Sequence, residues 1–560
     1  MHFFGKVALS FHIRYNKIMA DIGKKKYTAE ELSTMDPAVM AGIILSLQDQ
    51  IEALNTNFEN LIEQIRIANQ NRFGRRTEKL DVIDGQLSLF DEAENLADRN
   101  AAEACVEEVV QAYKRKKKKG KREEDLSGFS EEPHEHKVSE EDLDAFFGKG
   151  NWKAMPSDEY KRLRYEPASW TVEKHTVEVY VGTDGIHQDE FMRGDRPKDL
   201  IRNSIVTPSL GAAILNGKYV NAIPLYRIEQ EFDRNGLTLS RQTMANWVIG
   251  FDNYFEPLWQ RMKYHLKLLH VTQADETPVL VLNNGEPERS KCYMWVYRSG
   301  EYYTERQVIL YEYQPSRDHR YPSEFLKDYK GILVTDGLQQ YHLVEKEIAG
   351  LINANCWAHA RRDFADACKA IGKKNQSALR LSVAHKALEL IAAIYHEDEK
   401  LKAKTAEERL AQRRIKVAPH VESFFAWAKE RLNDGSSLPK GKTVEGLNYC
   451  INQEKYLRVF LTDGNVPIDN SASERAIRPF CIGKKNWILI NSEKGARASA
   501  RAYSIVETAK ANNLKPYKYF EYLLTELPQR VYEDGSINPA ELDDLMPWSD
   551  SIPDDCKKSR

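Results

Sequence analysis

From His270 onward the chain carries an order of strand and helix signals that few folds accommodate. HVTQADETPVLVL, KCYMWVYR and RQVILYEYQ each read as strands, and the turn-forming NNGEPE and SGE between them make two hairpins in series. Three antiparallel strands follow from that arrangement. A short helix at about Pro322 to Asp328 then leads into GILVTDG, an apolar run closed by Gly337, and the helical LQQYHLVEKEI leads into LINANCW.

The succession β-β-β-α-β-α-β predicts an α/β domain of the ribonuclease-H-like kind. Two acids occupy matching places in it, Asp275 in the first of these strands and Asp336 at the end of the fourth. In that fold the two strands are neighbours, so the carboxylates can converge on one magnesium ion, a hard cation that takes carboxylate oxygen and keeps waters. Read singly, each is better explained as an ordinary aspartate solvated at a strand end; it is the two together at these places that point to a metal site. Glu276 adjoins Asp275, and alternation along a strand sends the two side chains to opposite faces without saying which faces a site.

After Trp357 about a hundred residues are strongly helical, which predicts a helical insertion at about 360–460. Past it, ASERAIRPF places Glu474, Ile477, Arg478 and Cys481 on one helix face. Spacing alone favours a capping role for Glu474, because Ser471-x-x-Glu474 is the pattern of a capping box.

Upstream, Met40, Ile44, Leu47, Ile51, Leu54, Phe58, Leu61 and Ile65 form an uninterrupted heptad seam with polar residues outside it. A coiled coil over 38–70 is expected, the other reading being an amphipathic helix packed on its own domain. Lys114 to Arg122 (KRKKKKGKR) is a like-charge block, read as a solvated linker, with phosphate binding the alternative. SWTVEKHTVEVYVGTDG reads as a hairpin in a small β module. Between Ser204 and Phe251, Pro224 opens one helix, Asn235-Gly236 breaks it and Ser240 caps a second. Two short helices joined in this way predict a helix-turn-helix with a core of Leu225, Ile228, Phe232, Met244 and Trp247. Arg241, Gln242 and Asn246 would then face outward toward base edges, although any helical hairpin has the same outline.

Composition narrows the setting. With 560 residues the chain needs several domains, and no apolar stretch reaches the length of a membrane span. The seven cysteines are scattered and never paired as C-x-x-C, which argues for a reducing cytoplasm and against a cysteine-built zinc site. Net charge is −3, so a nucleic acid would have to meet local basic patches. The first twenty residues carry no cleavage site of a signal peptide, and Met19 is an alternative start.

The strings RFGRRTEKL, QADETPVLVL, YMWVYR, VTDGLQQY, CWAHARRDF, IDNSASERAIRPFCIGKKNW and SIVETAKANNLKPYKYF, in this order, closely resemble the insertion-sequence sixty-six family of bacterial transposases. The resemblance runs from about residue 38 to the closing LMPW. It implies a DDE-type transposase that binds the terminal inverted repeats of its element and joins them to target DNA. Asp275, Asp336 and Glu474 match the three acids, which would hold two Mg2+ ions, with Mn2+ an acceptable substitute. This reverses the capping reading of Glu474. Arg478 and Lys485 match family positions and would hold DNA phosphates, and His359 and Arg361 fall in the family's W-A-H-A-R block.

The chain departs from the family twice. Residues 106–291 contain no cysteine where the family has a zinc module, so no zinc is expected. Ser471 also stands where a second asparagine is usual. Homo-oligomers through the coiled coil and accessory proteins of the same element are the expected partners, with no membrane. The expected division is an extension at 1–37, coiled coil at 38–70, linker at 71–130, β module at 131–202, helix-turn-helix at 203–265, catalytic domain at 266–495 and a C-terminal region at 496–560. The rival reading is a DNA-binding regulator, or a catalytically retired remnant, using the coiled coil and helix-turn-helix.

Overall fold

A computed structural model describes residues 141, 145, 149, 169–181, 191–193, 198–283, 291–371, 376–433 and 441–558. The extension, the coiled coil, the basic linker and much of the β module lie outside the described residues. Of the β module, strand β1 (Val179–Val181) pairs antiparallel with β2 (Phe191–Arg193). The hairpin expected within 169–185 is therefore corrected: Ser169–Glu178 is not strand, and β1 finds its partner beyond that segment.

Residues 200–556 belong to a separate unit built on a five-stranded sheet. Its strands are β3 (Val271–Val279), β5 (Cys292–Ser299), β6 (Ile309–Gln314), β7 (Gly331–Thr335) and β8 (Leu351–Asn355), in the spatial order β6-β5-β3-β7-β8. The first three pair antiparallel, while β3 with β7 and β7 with β8 are parallel. Parallel neighbours need a crossover, supplied here by helices α4 (Arg320–Phe325) and α5 (Gln339–Glu347). The expected β-β-β-α-β-α-β order is thus present. HVTQADETPVLVL divides, however, because β4 (Val281–Asn283) leaves the main sheet to pair with β9 (Ile490–Ser492).

Each face of the sheet has its own apolar cover. On β7, Ile332 and Val334 join one core while Leu333 joins the other. On β3, Val271 and Ala274 divide in the same way. This is the period-two alternation of strands covered on both sides. The core containing Val271, Ile332, Val334 and Ala354 is completed by helices between β8 and residue 460, including Trp357, Phe364, Ile391, Phe424 and Leu447. The expected insertion is therefore a layer on the sheet: α6 (Trp357–Ile371), α7 (Gln376–Leu381), α8 (Val383–Glu399), α9 (Ala406–Gln412), α10 (Ala418–Asn433), α11 (Lys442–Asn452) and α12 (Glu454–Leu457).

The other core joins segments that the sequence divided. Helix α1 (Pro208–Leu215), helix α2 (Leu225–Arg234) and helix α3 (Arg241–Lys267) precede the sheet. Helices α13 (Ser471–Trp487), α14 (Glu493–Ala511) and α15 (Pro516–Glu526) follow the insertion. The second short helix expected at Arg241–Phe251 is corrected to one of 27 residues, because Phe255, Leu258, Trp259, Met262 and Leu266 continue its buried stripe at helical spacing. The boundary at 265/266 falls inside this helix. The boundary at 495/496 falls inside α14, whose Ser504 and Thr508 hydroxyls accept the Tyr311 and Ile309 amides of edge strand β6 at 2.7 and 3.0 Å. Those bonds satisfy donors that an open sheet edge would leave to another chain.

Candidate active site

The parallel register of β3 and β7 pairs Val271 with Ile332 and Gln273 with Val334, an offset of 61 residues (332 − 271). Asp336 follows Asp275 by the same interval, one residue past the end of β7, so the register brings the end of β7 up beside the stretch of β3 that carries Asp275. Parity adds a second constraint. Asp275 shares its strand face with Val271, on the side under the helical insertion, and Asp336, just past β7, has its carbonyl bonded to Tyr449 of that insertion.

Glu276 takes the opposite face. Its carboxylate accepts from Arg317 Nε at 2.8 Å and from the Tyr341 hydroxyl at 2.6 Å. Burial and then the Asp336 charge push that carboxyl upward, and Arg317 and Tyr341 offset part of the cost. Asp275, by contrast, accepts from the Glu276 amide at 2.9 Å. Asp336 accepts from the Leu338 amide at 2.9 Å in a tight turn, and the Tyr449 hydroxyl donates to the Asp336 carbonyl at 3.0 Å. The turn requires Gly337, whose φ is +88° and whose missing side chain leaves room for Tyr449.

Glu474 arrives on α13, and the start of that helix explains how. Asn470 occupies the cap position without bonding the helix amides through its side chain. Its Nδ2 instead donates to the Ala274 carbonyl at 2.7 Å, and its Oδ1 accepts from Gln273 Nε2 at 3.1 Å. The buried Asn470 thereby pins the helix to β3 beside Asp275. Ser471 already lies in the first turn, so the capping box expected from Ser471 and Glu474 is not formed. The Glu474 carboxylate stands 3.8 Å from His359 Nε2, a nitrogen that also lies 2.9 Å from Arg362 Nη2.

These charges act on one another. Loss of hydration, followed by the Glu276, Asp336 and Glu474 carboxylates, pushes Asp275 well above the usual carboxylate range. Burial chiefly raises Glu474 as well, against the opposing charges of Arg362 and Arg478. His359 is pushed down to about 4 by burial and then by Arg362, which keeps its imidazole neutral near pH 7. Among the described residues no three His, Cys, Asp or Glu side chains form a ready-made cage for a metal ion. The donor chemistry nevertheless fits a hard divalent cation: all oxygen, mutually repelling, and with a partly exposed Glu474 side chain.

The DNA-contact candidates fall in two places. Arg478 and Lys485 are exposed on α13, following Glu474 at four and eleven positions, which is one helix face. Arg241, Gln242 and Asn246 are exposed on the first turns of α3, while Met244 and Trp247 are buried. The Arg241 amide donates to Glu229 Oε1 at 2.9 Å, and its guanidinium lies 5.6 Å from the Tyr226 ring centre. No acid of the candidate site lies on α3.

Sequence reasoning did not assign roles to His359, Arg362 or Asn470. The available signal was position: His359 lies in the first turn of α6, four residues past the end of β8, and Asn470 immediately precedes the Glu474 helix.

A model of the IS66 family of transposases matches residues 203–498, more than half of the chain. The chain belongs to the IS66 transposase family. A model of the IS66 C-terminal element matches residues 504–548, and one described as Transposase C of IS166 homeodomain matches residues 60–127. The chain is similar to the uncharacterized protein y4qI of Sinorhizobium fredii, 28% identical over 532 residues, 91% of this chain and 93% of that protein. It is also similar to the uncharacterized protein y4jD of the same organism, 25% identical over 370 residues, 65% of this chain and 70% of that protein. In this IS66 family member, no helix among the described residues is long and apolar enough to cross a membrane.

Proposed function

We propose that this IS66 family member cuts the ends of a bacterial insertion sequence and joins the freed 3′-hydroxyls to target DNA, with Asp275, Asp336 and Glu474 as its catalytic acids. The observation that carries the reading is that Asp275 on β3 and Asp336 just past the end of the parallel strand β7 lie close enough, with Glu474, for both other carboxylates to act on Asp275. The sheet order and pairing support a ribonuclease-H-like domain. Membership of a transposase family supports DNA as substrate.

The three acids would hold two Mg2+ ions, with Mn2+ as a substitute, which when bound activate the attacking oxygen and stabilise the leaving one. The chain's own residues do the positioning. Asn470 fixes the start of the Glu474 helix against the Asp275 strand, and Gly337 turns the backbone immediately past Asp336. Arg317 and Tyr341 hold Glu276 on the far face, leaving Asp275 as the acid on the insertion side. Arg478 and Lys485 offer positive charge to backbone phosphates beside the acids. Arg241, Gln242 and Asn246 would read the element's ends if α2 and α3 act as a helix-turn-helix.

The test is cleavage of labelled end DNA in magnesium by Asp275→Asn, Asp336→Asn and Glu474→Gln, with accessory proteins of the element supplied. Each should lose cutting by at least a hundredfold while still binding the ends. Near-normal cutting by Glu474→Gln would remove that residue from the site. End binding by a wild-type protein that never cuts would favour the regulator reading.

A further inference from the structure

Beyond Asp275 the same strand runs into a cavity of about 400 Å³. Its walls are the apolar side chains of Pro278, Leu280 and Ile488, its rim carries Lys291, Lys484 and Lys485, and among the described residues no carboxylate lines it. Lys484 is anchored there by donating to the Pro278 carbonyl at 2.7 Å. We propose that this cavity takes one unstacked nucleotide of the DNA strand being cut, its base against the apolar walls and its flanking phosphates on the lysines. The inference rests on the DNA-cleaving reading above and names a contact that the reading does not contain.

Position supports it first. A strand rises about 3.3 Å per residue, so Pro278 lies about 10 Å beyond Asp275. One strand of duplex rises 3.4 Å per nucleotide, which puts the cavity within about three nucleotides of a phosphate held at the acids. Along α13, Glu474, Arg478, Cys481 and Lys485 follow at intervals of four, three and four. That single face leads from the acid to the rim of the cavity.

The chemistry supports it next. Lysines alone would suit any anion, but an anion has no use for an apolar wall, whereas a nucleotide presents a base and phosphates together. Ile488 is also held unusually. Its φ of 65° and ψ of −52°, with the Leu489 amide donating to the Trp487 carbonyl at 2.7 Å, form a tight γ-turn that a β-branched residue rarely adopts. The turn leaves the side chain 69% exposed at the cavity edge, with Leu489 and Leu282 also exposed. An apolar side chain in such a position can hold a base step open.

The experiment uses the full-length protein and a duplex of the element's terminal sequence, with 2-aminopurine placed in turn at each nucleotide flanking the cleaved 3′ end. Fluorescence should rise several-fold at one position on binding. A mismatch at that position should tighten wild-type binding, because the nucleotide is already partly unstacked. Ile488→Gly and Lys291→Ala should each remove more than half of the rise. Ile488→Gly should keep its melting temperature, since glycine takes a positive φ freely. If end DNA is bound and cut but no position brightens, or the rise is unchanged in both variants, the cavity does not receive a nucleotide. If the protein neither binds nor cuts end DNA, the cleavage reading fails and this inference falls with it.

Discussion

Asp275 carries the sharpest electrostatic cost in the molecule's candidate site, since three other carboxylates and its own burial oppose its ionisation. A carboxyl whose folded value is raised contributes stability that is fully present below its unfolded value, near 3.9, and is lost as pH rises through the folded value. The metal-free protein should therefore lose stability at this position as pH rises above about 3.9 toward the raised folded value. Asp275→Asn mimics the neutral form, so its melting temperature should exceed that of the wild type at pH 7.5 in chelator, by about 2–4 °C if the relief is ~1 kcal/mol. The difference should shrink as pH falls toward 4. Added magnesium should stabilise the wild type and leave Asp275→Asn nearly unmoved. Scanning calorimetry with and without chelator decides this, and a variant less stable than wild type at neutral pH would mean that the carboxylate is already balanced.

At the scale of elements, the insertion does more than cover a sheet face. Arg413 and Asp398 form a fully buried ion pair, and Arg413 Nη1 also donates to the Phe460 and Val466 carbonyls at 2.8 and 2.7 Å. Arg409 Nη1 donates in addition to the Gly464 carbonyl at 2.6 Å. Two arginines of the insertion thus hold the backbone that leads into Asn470 and the Glu474 helix. Removing one partner of a buried pair leaves the other charge unpaired, at a cost of about 3–5 kcal/mol. Arg413→Ala should melt many degrees lower and cut end DNA poorly even below its melting temperature, although it is not an acid of the site. Full cutting by a folded Arg413→Ala protein would show that Glu474 is positioned without this clamp. Helix α3 presents a different case, because its buried stripe is devoted to the core while Arg241, Gln242 and Asn246 on its first turns are exposed. Arg241→Ala should weaken binding to the element's ends about tenfold and to random duplex much less, as expected for a base contact worth 1–3 kcal/mol. Equal losses in a binding titration on both duplexes would reduce Arg241 to a phosphate contact.

For the whole molecule, segments from both ends of the unit at 200–556 share one core. The helices before and after the sheet should therefore unfold with it rather than as separate domains. The heptad seam at 38–70 predicts an oligomer, and Ile51→Asp with Leu54→Asp should return it to a monomer in sedimentation at micromolar concentration. Unchanged sedimentation would make the seam an internal packing face.

The order of strands and helices, the places of the two aspartates and the family were all legible in the sequence. Hydrophobic periodicity is a local property, and the family strings lie in contiguous blocks. What the sequence left open were choices between faces and partners. A period of two says that Asp275 and Glu276 point apart, but only the insertion packed on one side and Arg317 with Tyr341 on the other decide which acid takes which face. Ser471-x-x-Glu474 satisfied a local capping rule, yet the tertiary bond from Asn470 to Ala274 set the helix start and released Glu474. The approach of His359 to Glu474 brings together residues 115 apart (474 − 359), and no local pattern encodes such a distance. Spacing along a chain fixes which side chains share a face, whereas the packing of distant segments fixes what that face meets.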